Sequence, residues 1–189
     1  SDYWNRNFQV VVIADGPHQQ WLHEIVGRFG LHERVTTRRF VERLSRLAYA
    51  GADFMIMPWQ FEPCGLPQMI APIYGTLSIV HATGGLYDTV RPLDADASTG
   101  NGFCFENYDA RGFRWAIDQA MKFFALPAEV RAREIGRVMR ESLHEFSHRE
   151  VARRYIEIYE EMLARPLVEK VAGTEIQELA EREAQMAEV

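Results

Sequence analysis

Short apolar runs that do not alternate with polar residues recur along the chain. Runs of this kind are typical of strands that are buried on both faces of a parallel sheet. They occupy residues 8–14, 53–57, 77–80 and 102–105, and a shorter strand is expected at Val35-Thr36. Stretches with helical periodicity separate them, at about residues 17–29, 40–50, 65–75 and 109–124. This alternation predicts the α/β class and a doubly wound, Rossmann-like parallel sheet.

The pattern changes after residue 126, where only helical periodicity remains. Pro127 starts one helix, and Ser147 starts another as a capping box. In that box the Ser147 hydroxyl accepts a hydrogen bond from the third amide, while the Glu150 side chain reaches back to the first residue. Arg165-Pro166 ends the second helix. These helices are additions at the C-terminal side of the sheet domain.

The length of 189 residues fits one domain with an appendage. We place the Rossmann-like domain at residues 1–164 and a separate tail at residues 165–189. From residue 167 the tail is rich in Glu and Ala, which predicts a lone amphipathic helix or a partly disordered segment.

Charge and composition exclude several function classes. A net charge of −6 argues against a nucleic-acid partner, which would need clustered Lys and Arg. No apolar run approaches the roughly 18 residues of a membrane helix, and the N-terminus lacks a signal pattern. We therefore expect a soluble, cytoplasmic protein with no membrane partner. The two cysteines, Cys64 and Cys104, are too few for a disulfide framework or a zinc site, and we expect both to be reduced and structural.

The first candidate binding loop contains Glu62, Cys64, Gly65 and Leu66, between the strand that ends near Met57 and a predicted helix. Free amides of Gly65 and Leu66 at a helix start would face a phosphate, and glycine lets the backbone approach closely. Glu62 in the same loop is placed to accept hydrogen bonds from sugar hydroxyls. The alternative is that Glu62 only complements the dipole of the helix.

The second candidate loop contains Thr83, Gly84 and Gly85, directly after the next strand. Successive parallel strands end at the same edge of a sheet, so both glycine-rich loops are expected to reach one crevice. A plain Gly-Gly turn is the alternative. The glycine fingerprint of dinucleotide folds, GxGxxG, is absent, which argues against a nicotinamide oxidoreductase.

Two further side chains are candidates at the strand ends. Phe40 lies near the end of the Val35-Thr36 strand, where it would present a ring face to a nucleotide base or pack in the core. His81 precedes the second loop as either a sugar contact or a loop histidine whose hydrogen bonds are satisfied. No two histidines have metal-ligand spacing with a carboxylate, so no metal site is expected.

These segments together resemble the C-terminal, nucleotide-sugar-binding domain of bacterial glycogen synthases and plant starch synthases. The resemblance extends more weakly over residues 8–163. Its specific part consists of Gly51-Ala52-Asp53 through Met57-Pro58, Phe61-Glu62-Pro63-Cys64-Gly65-Leu66, Gln68, Tyr74-Gly75-Thr76, Thr83-Gly84-Gly85-Leu86 and Asp88-Thr89-Val90.

The resemblance implies the C-terminal half of a GT-B fold, in a retaining glycosyltransferase that adds glucose from ADP-glucose or UDP-glucose to an α-1,4-glucan. Glu62 would be the catalytic-site residue that holds the glucose hydroxyls. The loop at Cys64, with the amides of Gly65 and Leu66, would hold the distal phosphate. Thr83, Gly84 and Gly85 would contact the nucleotide-sugar, and Phe40 the base. The resemblance implies neither a metal nor a cofactor.

The chain also departs from the family pattern. Pro67 replaces a polar residue and removes a donor, and Pro72 should shorten its helix. The family's first strand and helix, a basic segment and an N-terminal acceptor domain, which would bind the glucan, precede the matched region and are not found here. We therefore expect the isolated chain to be inactive; the alternative is a degenerate, non-catalytic binding or scaffolding module. A plastid location stays open if a transit peptide was removed, and the oligomeric state stays open.

Overall fold

Helices and parallel strands alternate through the computed structural model, which describes residues 8 to 167. The predicted class is confirmed, because helices flank parallel strands. The elements are, in chain order, β1 (Val10–Ile13), α1 (His18–Arg28), β2 (Val35–Arg38), α2 (Glu42–Gly51), β3 (Phe54–Met57), α3 (Pro67–Ile70), a 3-10 helix (Ala71–Tyr74), β4 (Leu77–His81), α4 (Gly84–Thr89), β5 (Gly102–Phe105), α5 (Ala110–Phe124), α6 (Ala128–Glu145) and α7 (His148–Leu163).

The strands form two parallel sheets rather than one continuous ladder. β1 pairs with β2, and β3, β4 and β5 form the second sheet in that order. Among the described residues no ladder joins β1 to β3. In the Rossmann-type strand order 3-2-1-4-5-6, one strand lies between two such groups. The predicted absence of the family's first strand stays a prediction.

The core is built around β4, which is buried along its whole length. Leu77 and Ile79 belong to the cluster that includes α5, whereas Val80 belongs to a second cluster with Met57 and Leu86. β4 therefore packs on both faces, as its unbroken apolar sequence predicts. Each such side chain contributes about 1.5 to 3 kcal/mol through burial. The carboxyl end of β4 is thus firmly positioned.

The helix predicted over residues 65–75 is shorter than expected. It begins at Pro67 and ends at Ile70, and a 3-10 helix continues to Tyr74. Pro72 explains the change, since its ring cannot donate the next α-helical hydrogen bond. The expected shortening by Pro72 is confirmed, and the helix begins at Pro67, with Leu66 as its N-cap, two residues after the approximate start predicted.

The loop between α4 and β5 is fastened to α6 by a buried carboxylate. The Glu134 side chain is fully buried and accepts hydrogen bonds from Ser98 Oγ (2.9 Å), Arg133 Nε (2.9 Å) and Arg137 Nε (3.0 Å). Arg137 also donates to the Gly100 carbonyl at 2.8 Å. Burial alone would raise the pKa of Glu134, but these hydrogen bonds together lower it.

The chain divides into two compact units, one ending at Leu143 and the other beginning at His144. The predicted boundary at residues 164 and 165 stays a prediction, and the tail from residue 168 lies outside the described residues. No helix between residues 8 and 167 is long and apolar enough to cross a membrane.

The second unit contains α7, whose N-terminal cap was only half predicted. Ser147 Oγ accepts from the Glu150 N–H at 3.1 Å, as the capping box requires. The reciprocal bond is absent, because the Glu150 carboxylate instead accepts from Arg153 (2.6 and 2.8 Å) and Arg154 (3.0 Å). Two cations three and four residues along the helix therefore outcompete the Ser147 amide.

This cluster predicts a pH dependence of helix stability. Hydrogen bonds from Arg153 and, to a smaller extent, from Arg154 lower the pKa of Glu150 to about 2 in the folded protein. A carboxylate with a lowered folded pKa stabilises the fold above its unfolded pKa, and that stabilisation disappears as pH falls through the folded pKa. Thermal melts followed by circular dichroism should therefore show Glu150→Gln less stable than the wild type at pH 6, with the difference shrinking toward pH 2. An equal difference in melting temperature at pH 6 and pH 2.5 would contradict this origin.

Candidate functional site

Two loops meet where β3 and β4 end. The loop after β3 carries Glu62, and the loop after β4 carries Gly85, whose N–H donates to the Glu62 carbonyl at 2.9 Å. The expectation that both glycine-rich loops reach one place is met by this direct backbone contact. The parallel register explains it, because Met57 lies opposite Val80 and the strands end together.

The second loop can approach the first only because it is made of glycine. A methyl group at Gly84 would overlap the Glu62 carbonyl oxygen, and one at Gly85 would overlap the Cys64 carbonyl oxygen. Both obstacles are backbone atoms, which cannot rotate away as a side chain would. Thr83 precedes the pair in an extended conformation at the start of α4. The Gly-Gly sequence is therefore a packing requirement as well as a turn.

The first loop exposes two backbone donors. The N–H groups of Gly65 and Leu66 have no protein acceptor among the described residues, whereas the Cys64 N–H contacts Glu62 Oε1 at 3.4 Å. Gly65 has a φ of 75°, a left-handed conformation that glycine adopts without strain. Because α3 has only four residues, the field at this loop comes from the amides themselves and little from a helix dipole.

The second loop offers fewer free donors than expected. The Gly85 N–H is used by the Glu62 carbonyl, and the Thr83 N–H donates to the His81 carbonyl at 2.9 Å. Within the described part of the chain, the Gly84 N–H has no protein acceptor. The roles predicted for Thr83, Gly84 and Gly85 stay predictions, but Gly85 already has a structural one.

His81 has a clear structural role. Its Nδ1 lies 2.8 Å from the Trp59 carbonyl oxygen, and its ring packs against Phe105 and Tyr108 with centroid distances of 5.3 and 4.9 Å. The side chain is buried, at 7% exposure. Of the two alternatives for His81, these contacts favour the loop histidine with satisfied hydrogen bonds.

Phe40 lies apart from the two loops in the chain topology. It follows β2, in the other sheet, and its side chain is 57% exposed. Packing in the core is therefore ruled out for this ring. An exposed ring face is what stacking on a base requires, and that role stays a prediction.

Gln68 was part of the resemblance but received no role from its sequence position. It is buried at 1% exposure, and its Nε2 contacts the carbonyl oxygens of Cys64 (2.7 Å) and Gly65 (3.1 Å). The only signal in the sequence is a polar residue in an otherwise apolar helical segment. Thr89, on α4, is the second residue without an assigned role that joins the two loops.

The two cysteines are free, as predicted, but they differ in environment. Cys104 is half-buried, and burial raises the pKa of its thiol to about 11. Cys64 is exposed, so the expectation that it is a structural, buried thiol is wrong: its loop turns outward ahead of α3.

This difference predicts two rates of thiol labelling. Because the thiolate is the reactive form, we expect Cys64 to react fast with a disulfide reagent at pH 8, and Cys104 at least about tenfold more slowly. Cys64→Ala should remove the fast phase, and the matched control Cys104→Ala should keep it. A fast phase that survives in Cys64→Ala would show that Cys104 is the rapidly reacting thiol and would contradict this assignment.

No three His, Cys, Asp or Glu side chains in residues 8–167 are grouped so that they could hold a metal ion. The expectation that the site needs no metal stays a prediction. The two loops provide amide donors, which suit phosphate oxygens, and one carboxylate acceptor, which suits hydroxyl groups.

Residues 3–136 match the family model described as glycosyl transferases group 1, and the chain belongs to this family. Its curated relatives include the glycogen synthase of Halalkalibacterium halodurans, 42% identical over 167 residues, which are 86% of this chain and 34% of that protein. The glycogen synthase of Bacillus subtilis is 40% identical over 120 residues, 63% of this chain and 25% of that protein. The chain therefore spans about a third or less of the length of these relatives.

Solved structures agree with this assignment. The catalytic domain of starch synthase IV from Arabidopsis thaliana, bound to ADP and acarbose, superposes with a TM-score of 0.70 at 35% identity, over 83% of this chain and 33% of that one. Sucrose-phosphate synthase from Thermosynechococcus elongatus shares the fold, with a TM-score of 0.61 at 24% identity, over 82% and 39% of the two chains. The protein is thus a glycogen or starch synthase-like glycosyltransferase domain of GT-B type, as the resemblance predicted.

Proposed function

We propose that this domain binds the nucleotide-sugar donor of a glucosyltransferase that extends an α-1,4-glucan, with ADP-glucose or UDP-glucose as the donor. The observation that carries the proposal is the pair of N–H groups at Gly65 and Leu66, which have no acceptor within residues 8–167 and lie beside the carboxylate of Glu62. Two amides suit a phosphate oxygen, and a carboxylate three residues away suits sugar hydroxyls.

The chemistry expected of the site is stabilisation of the leaving group. Transfer of glucose breaks the bond to the diphosphate, so negative charge develops on the phosphate next to the sugar. Amide donors that are already oriented stabilise such charge without reorganisation. Glu62 accepts hydrogen bonds from the glucose hydroxyls and so fixes the ring relative to the diphosphate. The Gly84 N–H adds a third donor from the neighbouring loop.

The acceptor belongs to a part of the enzyme outside this domain. In our proposal the glucan binds an N-terminal domain, and these 189 residues alone bind the donor without transferring glucose. The curated relative from Halalkalibacterium halodurans, of which the match covers 34%, supports this division. Phe40 would stack on the base, a contact that suits adenine and uracil alike.

Calorimetric titration tests the proposal with four ligands: ADP-glucose, UDP-glucose, ADP and adenosine. We expect a diphosphate ligand to bind more tightly than adenosine. Glu62→Ala should weaken ADP-glucose about tenfold and ADP much less, because only the sugar contacts the carboxylate. The matched control Glu129→Ala, an exposed residue on α6, should change neither.

Two results would contradict the proposal. Equal loss of ADP and ADP-glucose affinity in Glu62→Ala would show that the carboxylate does not recognise the sugar. Binding of none of the four ligands by the wild type would favour the alternative, a degenerate module that binds protein or glucan instead.

A further inference from the structure

The Gln68 amide lies behind the exposed amide pair. Its Nε2 shares two hydrogens among the Cys64 carbonyl (2.7 Å), the Gly65 carbonyl (3.1 Å) and Thr89 Oγ1 (3.3 Å). At 1% exposure Gln68 reaches these groups from inside the protein, so no solvent competes for them.

Those hydrogen bonds determine where the next amides point. In a planar trans peptide the N–H lies on the opposite side from the C=O. With the Cys64 carbonyl directed at Gln68, the Gly65 N–H points away from it. With the Gly65 carbonyl also directed at Gln68, the Leu66 N–H points away as well. The absence of a protein acceptor for both N–H groups among the described residues agrees with this orientation.

The same side chain connects the two loops. Thr89 Oγ1 accepts from Gln68 Nε2 and donates to the Gly85 carbonyl at 2.5 Å. On its other side, the Gly85 N–H donates to the Glu62 carbonyl at 2.9 Å. A closed series of hydrogen bonds therefore runs from Gln68 through Thr89 and Gly85 back to the loop that contains Glu62.

The side-chain oxygen of Gln68 is not explained by packing alone. Its Oε1 is buried without a hydrogen-bond partner in the described structure. An unpaired buried acceptor destabilises a fold, and an apolar side chain of the same shape would avoid that penalty. The Nε2 donors are therefore what distinguishes glutamine from methionine at this position.

We propose that Gln68 is the positioning residue of the donor site: by holding the Cys64 and Gly65 carbonyls inward, it directs the Gly65 and Leu66 N–H groups at the phosphate of the ligand. The inference rests on the proposed function and deepens it. Gln68 itself does not touch the ligand.

Gln68→Met tests the inference, because methionine keeps the shape and removes both hydrogens. In metal sites, mutating a residue that hydrogen-bonds to a ligand and orients it typically lowers the affinity about 10- to 100-fold. We expect ADP to bind about tenfold more weakly, while the affinity for adenosine, which has no phosphate, stays the same. Gln20→Met, at an exposed position on α1, is the control and should alter neither affinity. Circular dichroism verifies that each variant is folded.

Gln68→Glu provides a second test if the methionine variant fails to fold. An ionised carboxylate would repel both carbonyls, whereas a protonated one can donate a single hydrogen bond. ADP affinity of this variant should therefore recover as pH falls, relative to the wild type at the same pH. Thr89→Val removes the hydrogen bonds of the Thr89 hydroxyl to Gln68 and to Gly85 but leaves those of Gln68 to the Cys64 and Gly65 carbonyls, so a smaller loss is expected from it.

The outcomes distinguish failure of the proposed function from failure of the Gln68 role. If wild-type protein does not bind ADP, the proposed function fails and the role of Gln68 falls with it. If the wild type binds ADP, the proposed function stands. The positioning role of Gln68 is then wrong if Gln68→Met weakens ADP and adenosine binding equally, or if it weakens neither.

Discussion

Gly85→Ala is expected to destabilise the domain by about 3 kcal/mol and to abolish nucleotide binding. The added methyl group would overlap the Cys64 carbonyl, a backbone atom that can move only if the whole loop moves. Such a movement would also break the Gly85 N–H bond to the Glu62 carbonyl. The single methyl group added in Gly85→Ala would therefore push apart the two loops that form the site.

Urea denaturation followed by tryptophan fluorescence measures the first effect, and ADP titration of the folded variant measures the second. Gly27→Ala is the matched control, since a methyl group there meets nothing within 4 Å and α1 should gain up to about 1 kcal/mol. Unchanged stability of Gly85→Ala would mean that the loops are not in contact.

Glu134→Ala is expected to cost about 3 kcal/mol, the low end of the range for breaking a buried ion pair by removing one partner, because Arg137 keeps its contact with Glu141. The variant leaves Arg137, only 15% exposed, without the carboxylate that it contacts at 3.0 Å. It also releases the Ser98 hydroxyl and so loosens the loop between α4 and β5.

Glu141→Ala is the control for this experiment. Glu141 pairs with the same Arg137 at 2.7 Å, but its side chain is 56% exposed, so the loss should stay below about 1 kcal/mol. The free energy of unfolding from urea titrations compares the two variants directly. Equal losses in both would show that burial does not determine the strength of this network.

Strands and longer helices were predictable because their signal is local. Residues 102–105 form β5 with the bounds that their apolar run predicts, and α5 begins at Ala110, where Asp109 caps it by accepting from the Arg111 and Gly112 amides. Unbroken apolar runs predict buried strands, and β4 is buried throughout. The placement of both glycine loops at one edge followed from the parallel order.

Interactions between distant residues were not predictable in the same way. α4 was missed because it begins with two glycines, which disfavour a helix unless tertiary contacts support it. The contact of Gly85 with Cys64, 21 positions earlier, has no local signal. The role of Gln68 also has no local signal. One of its acceptors is Thr89, 21 positions later, so the role depends on how the two loops meet and not on the sequence around Gln68.

The most direct test of the account is nuclear magnetic resonance of the backbone amides during ADP titration. If the outward-facing pair binds phosphate, the Gly65 and Leu66 resonances shift downfield with a common saturation curve, while the Gly85 amide, already bonded to Glu62, moves little. Saturable ADP binding that leaves Gly65 and Leu66 unshifted would contradict the central claim that these two amides form the phosphate site.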